Sequence, residues 1–216
     1  LALFRGDREE AARRLGDLRS VGPSACALRA CLLLPTGDTV EADRLVEKAS
    51  RERPEDPALL YLQGVIALEA GDPSGAMIQA TRAIEILREF PDAYVLRALA
   101  KADVQDFLGS WADLETALQL CATSNPARVA RARVWWYRGN AAGALRDLAR
   151  TLELDPKCAL AWLARGELQR RTVWRSRTPF TLSLREGVAP ARTLREALQS
   201  YRKAKSVSPF SVTAWT

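Results

Sequence analysis

A period of 34 residues constrains this chain more than any other feature. Repeats begun at Pro23, Pro57, Pro91, Asn125 and Ala159 put like residues at like positions. Gly37-Asp38, Gly71-Asp72, Gln105-Asp106 and Gly139-Asn140 stand at positions 15 and 16. Ala42, Ala76, Ser110 and Ala144 share position 20, and Ala49, Ala83, Ala117 and Thr151 share position 27. Gly64 and Gly166 share position 8, Tyr94 and Trp162 position 4, and Pro54 and Pro156 position 32. Internal repetition at a period of this size marks an array of supersecondary units rather than a single globular topology.

Each repeated residue has a physical task. Glycine followed by Asp or Asn turns the chain and then caps a helix N-terminus. Pro73, after Asp72, sits where a helix tolerates proline best. Small residues at positions 8, 20 and 27 let two helices cross closely. Proline at position 32 ends the second helix. Apolar residues such as Leu145, Leu148 and Leu152 recur at helical spacing. Each repeat therefore reads as a helix–turn–helix that buries its apolar face only by stacking on a neighbour.

The period, the Gly-Asp turn and the residues at positions 8, 20, 27 and 32, taken together, resemble the tetratricopeptide repeat family over nearly the whole chain. The resemblance implies an all-α, right-handed α-solenoid whose first helices line a concave groove, and a protein-binding role. The expected divisions are 1–22, the second helix of a truncated repeat; full repeats at 23–56, 57–90, 91–124 and 125–158; a repeat at 159–209; and the start of another at 210–216. The repeat from Ala159 falls into register over Ala197, Tyr201, Ala204 and Pro209 only after about 19 extra residues, an insertion at roughly 172–191. Leu1 is not a methionine, and partial repeats stand at both ends. The sequence is thus expected to be a piece of a longer array, because a solenoid needs polar caps.

Position 7 carries Arg29, Gln63, Arg97, Arg131 and Arg165, and position 23 carries Gln79, Asp113 and Asp147 in the middle repeats. Read in pairs, these predict ion pairs Arg97–Asp113 and Arg131–Asp147 and an amide pair Gln63–Gln79. Arginine suits such a place, since its fork bonds a carboxylate bidentately while its stem packs.

Catalytic chemistry finds little support. The 216 residues contain no histidine, which removes a histidine-based triad and an imidazole base. Neither Gly-rich phosphate motif occurs. Four cysteines without a Cys-x-x-Cys pair or a histidine offer no zinc site and read as small packing thiols. No enzyme activity, cofactor or metal is expected. Reduced thiols and the lack of a signal peptide or a membrane-length apolar run fit a cytoplasmic or nuclear protein.

Two surfaces stand out as binding candidates. The resemblance places the groove at positions 2, 5, 6, 9, 12 and 13, which include Tyr61, Val65, Val95, Leu99, Val129, Arg133, Trp136 and Tyr137. Family members that bind chaperone tails hold a peptide carboxylate with Lys, Asn and Arg at set groove positions. Here those positions hold Tyr61, Val65, Leu96, Pro126 and Ala130, so that clamp is absent. An apolar groove with aromatics suits a peptide or helix of a protein partner, and Trp136, Tyr137 and Arg133 are of the types that dominate hot spots. The second candidate is the insertion, with Trp174, Arg175, Arg177 and Phe180.

Charge is divided along the chain. Residues 1–126 hold 14 Lys+Arg against 20 Asp+Glu, whereas 127–216 hold 18 against 6. The basic half fits either a solvated Arg-rich face or an anionic partner. Nucleic acid and an anionic surface are the alternatives to a protein ligand, as is a recruiting arm of a larger enzyme.

Overall fold

The structure is a computed structural model. It describes Cys26, Ala27, Ala30, Leu33 and residues 39–175 and 190–207, without the side chains of 171–175 and 190–194. The expected partial repeats at 1–22 and 210–216, together with Arg177 and Phe180, lie outside the described residues.

The described residues form helices and no strand: α1 Thr39–Glu52, α2 Pro57–Glu69, α3 Pro73–Ile86, α4 Pro91–Asp103, α5 Phe107–Leu120, α6 Asn125–Tyr137, α7 Ala141–Leu154, α8 Ala159–Arg175 and α9 Pro190–Val207. They fall into two compact units, residues 1–122 and 123–216. In the first unit α2 packs on α3 and α4 on α5. Consecutive hairpins meet through α1 on α2, α3 on α4 and α2 on α4. In the second unit α6 packs on α7 and α8 on α9, and the hairpins meet through α7 and α6 on α8. Each unit is a stack of antiparallel helix hairpins.

The turn inside each complete hairpin is built the same way. Gly71 and Gly139 adopt φ of 79° and 82°. Asp72 N–H reaches back to Ala67 O at 2.8 Å and Asn140 N–H to Trp135 O at 2.9 Å, closing the helix end as a left-handed residue allows. The residue that follows caps the next helix: Asp72, Asp106 and Asn140 accept from the N–H of Gly75, Gly109 and Gly143 at 2.8–2.9 Å. A Cβ on Gly75 or Gly109 would collide with the capping carboxylate. This third glycine is a repeated signal that the period alone did not single out. Gln105 holds the glycine place in the middle hairpin and still adopts φ of 65°.

The small residues lie where the helices cross. Ala42, Ala76, Ser110 and Ala144 are fully buried, as are Ala83, Ala117 and Thr151. The two hydroxyls placed there are satisfied by backbone carbonyls, Ser110 to Ala98 at 2.7 Å and Thr151 to Asp147 at 3.0 Å. Position 8 is tight: a Cβ on Gly64 would stand 2.8 Å from Leu96 Cδ2, and one on Gly166 would stand 3.1 Å from the Tyr201 ring. The core of the second unit is Val129, Ala132, Ala144, Leu148, Leu152, Ala161 and Leu168, with Trp135, Trp136 and Trp162 packed against it.

Helices run into the expected insertion from both sides, through Arg175 and from Pro190. Trp174 and Arg175 therefore continue α8; their side chains lie outside the described residues.

Candidate interaction surface

In the first unit the candidate groove residues come from α2 and α4, which touch. Tyr61 is half-buried, packs against two core clusters and sets its ring 5.4 Å from that of Phe90. Val65 and Leu99 are half-buried. Val95 is buried and belongs to the core.

In the second unit Val129 is likewise buried. Arg133 is exposed, Trp136 is half-buried against the core, and Tyr137 is 46% exposed. These last three follow one another at i, i+3 and i+4, so they share one face of α6. Helix α8 lies alongside α6 and carries Glu167 and Arg170, which pair through two bonds of 2.8 and 3.0 Å. The Tyr201 hydroxyl also donates to Glu167 at 3.0 Å. Burial, helped by the Glu167 charge, pushes the Tyr201 phenol above its usual range.

Behind this layer the position-7 arginines act within the fold. Arg97 grips Asp113 with bonds of 2.7 and 2.9 Å, and Arg131 grips Asp147 with two of 2.8 Å. Two further partners of the first pair were not read from the sequence. Lys101, one turn beyond Arg97, reaches Asp113 at 2.8 Å, and Arg97 also donates to Thr81 of the preceding hairpin at 3.3 Å. The expected amide pair does not form. Gln63 donates instead to Ser50 at 3.2 Å, and Gln79 Oε1 is buried without a hydrogen-bond partner. A glutamine amide lacks the charge that makes an Arg–Asp fork override nearer partners. At the fifth repeat Arg165 lies over the Trp162 ring at 5.6 Å, while Ser200 donates to Gln169 at 3.0 Å.

No group of three or more metal-ligating side chains occurs among the described residues, nor a helix long and apolar enough to cross a membrane. Cys26 is buried and Cys121 and Cys158 are half-buried, none of the three in a disulfide.

Stacked hairpins with small residues at their crossings define a helical-repeat protein. A sequence profile of the tetratricopeptide repeat matches residues 27–94 and 129–172, and the chain belongs to that family. It is 36% identical over 133 residues to bovine (Bos taurus) tetratricopeptide repeat protein 36, spanning 56% of this chain and 71% of that protein. The human counterpart is 40% identical over 96 residues, where the match covers about half of the relative, 51%. Among solved structures, a thermophilic TPR protein of Thermus thermophilus shares the fold at a TM-score of 0.71 and 20% identity, covering 87% of this chain and 92% of that one. A human IFIT1 dimer with m7Gppp-AAAA also has a TM-score of 0.71, at 16% identity, over 87% of this chain and 42% of that one. At such identities the likeness concerns the fold alone.

Proposed function

We propose that this chain is a non-catalytic protein-interaction scaffold that holds a peptide or helix of a partner against its first helices. The observation that carries the reading is the outer face of α6. There Arg133 and Tyr137 stand exposed beside the half-buried Trp136, on a rigid helix whose opposite side is core. A cation beside two aromatics supplies both area and a directional bond to a partner segment. Tyr61, Val65 and Leu99 offer a more apolar counterpart in the first unit. The role of Trp174, Arg175, Arg177 and Phe180 as a second surface belongs to the same proposal and rests on composition.

The test is capture of partners from a lysate by the chain and by an Arg133→Ala, Tyr137→Ala variant, at about 0.15 M and about 0.5 M salt. Both residues are exposed, so circular dichroism should show an unchanged fold; Trp136 is left intact because it packs on the core. A protein held at both salts and lost with the variant supports the reading. Capture indifferent to the variant removes α6 as the binding face.

A further inference from the structure

The second unit carries more positive charge than it can neutralise. Its described carboxylates already have partners: Asp147 with Arg131, Glu153 with Arg150, Asp155 with Asn125, Glu167 with Arg170, and Glu196 with Gln169. The surplus is organised on α9. At 100° per residue, Arg195, Leu198, Gln199, Arg202, Lys203, Lys205 and Ser206 fall on one side of that helix, and all are exposed. Ala197, Ser200 and Ala204 fall on the other and are buried, with Tyr201 lodged over Gly166. No carboxylate stands on the outward side, and none of its four cations has an ion-pair partner among the described residues. Arg195 stands at one end, and Arg202, Lys203 and Lys205 gather about 10–15 Å further on at the helical rise.

The chemistry of the stripe selects among anionic partners. The apolar side of α9 is spent on α8, which leaves Leu198 alone outside and no apolar face to insert into a bilayer. Leu198 is the large apolar side chain of this side, and Tyr201, one turn on, is lodged over Gly166, so among the described residues no exposed aromatic anchor for a protein segment stands beside it. What remains is a set of exposed cations on one side of the helix, which suits a polymer that carries negative charge along its whole length. A duplex carries one phosphate charge per about 1.7 Å of axis over its two strands, so a length of about 15 Å offers more phosphates than the four cations need. We propose that the outward face of α9 is a contact surface for the phosphate backbone of a nucleic-acid duplex, separate from the face of α6.

The probe is a labelled 20-base-pair DNA duplex, titrated with the full chain by fluorescence anisotropy. Four phosphate contacts predict that affinity falls about 150-fold between 0.05 and 0.2 M salt, and that two unrelated sequences bind alike. Reversal of the four cations (Arg195→Glu, Arg202→Glu, Lys203→Glu, Lys205→Glu) removes that salt dependence. So does the milder change of all four to Gln, which guards against misfolding by introduced acid. Reversal of the exposed Arg82 and Arg88 of the first unit leaves it in place. The proposal is overturned by absence of binding at 0.05 M, by a salt slope unchanged in both α9 variants, by displacement of the duplex with an equal charge of polyglutamate, or by tighter binding to phosphatidylserine vesicles. The face of α6 is untouched by all of these variants, so failure here leaves the scaffold reading standing.

Discussion

Arg97 and Asp113 close a bidentate ion pair between α4 and α5, Nε to Oδ2 at 2.9 Å and Nη2 to Oδ1 at 2.7 Å. The hydrogen bond to Asp113 lifts the already high Arg97 pKa further. Arg131 and Asp147 repeat the pair 34 residues on, between α6 and α7. The pairs tie the two helices of a hairpin together at a fixed level, so they set register as well as adding attraction.

Asp113 is 7% exposed and answers two cations, whereas Asp147 is 13% exposed. Asp113→Ala leaves Arg97 and Lys101 facing each other without their counter-ion. It is expected to destabilise the chain by about 2–4 kcal/mol, less than for a fully buried pair because both cations keep some water. Asp147→Ala costs less, and Arg51→Ala, which breaks an exposed pair with Glu47, costs under about 0.5 kcal/mol. Urea unfolding of the three variants checks the order; equal midpoints for Asp113→Ala and Arg51→Ala would reject it.

Gln105 stands at φ 65°, where its neighbours in the period use glycine. A side chain in the left-handed region crowds the following carbonyl. Gln105→Gly is therefore expected to stabilise the chain by about 0.5 kcal/mol, the relief exceeding the added freedom of the unfolded state. A lower urea midpoint for the variant contradicts this account of the turn.

Gly64→Ala tests the close crossing. The new methyl meets Leu96 Cδ2 at 2.8 Å and Ala76 O at 3.3 Å, and Leu96 is buried with little room to move. Overpacking of this kind costs about 1–3 kcal/mol and outweighs the better helix propensity of alanine. A Gly64→Ala chain as stable as the parent shows that the hairpins slide apart at no cost.

Alkaline pH should loosen the second unit. Burial raises the Cys158 thiol above its usual value of 9.0, and Tyr201 is raised above 10.0 by burial and by Glu167. Both groups are neutral when protonated, so the folded state holds these protons more firmly than the unfolded chain. Their contribution is complete below about pH 9 and is lost as pH climbs past the unfolded values. The urea midpoint should fall between pH 8 and about pH 11, and fall less in Tyr201→Phe. Iodoacetamide should label Cys158 more slowly in the folded chain than in urea at pH 8, read by peptide mass spectrometry.

The hairpin design was legible because its determinants are local and repeat at fixed spacing. Gly71-Asp72 and Gly139-Asn140 specify their turns within six residues of chain, and Ala76, Ala83 and Ala144 declare the crossing by size alone. Arg97–Asp113 was legible for a related reason: two helices joined by a fixed turn bring positions 7 and 23 to one level in this repeat and again at Arg131–Asp147. Gln63 escaped that logic, since a neutral amide follows whichever partner is nearest, here Ser50.

The sequence by itself determined the repeat length, the turn and cap chemistry, the small-residue crossings, the two charge-paired hairpins and the basic balance of residues 127–216. Tertiary structure decided which first-helix residues remain available. Val95 and Val129 disappear into the core while Arg133 and Tyr137 stay outside, because burial there depends on the neighbouring hairpin as well as on the residue's own helix. It also decided that Asp113 is shared with Lys101, and that α9 turns its cations outward once Tyr201 has filled the space over Gly166. A periodic sequence fixes each hairpin from within, whereas the surface left over emerges only when neighbours stack and their side-chain volumes compete for the same space.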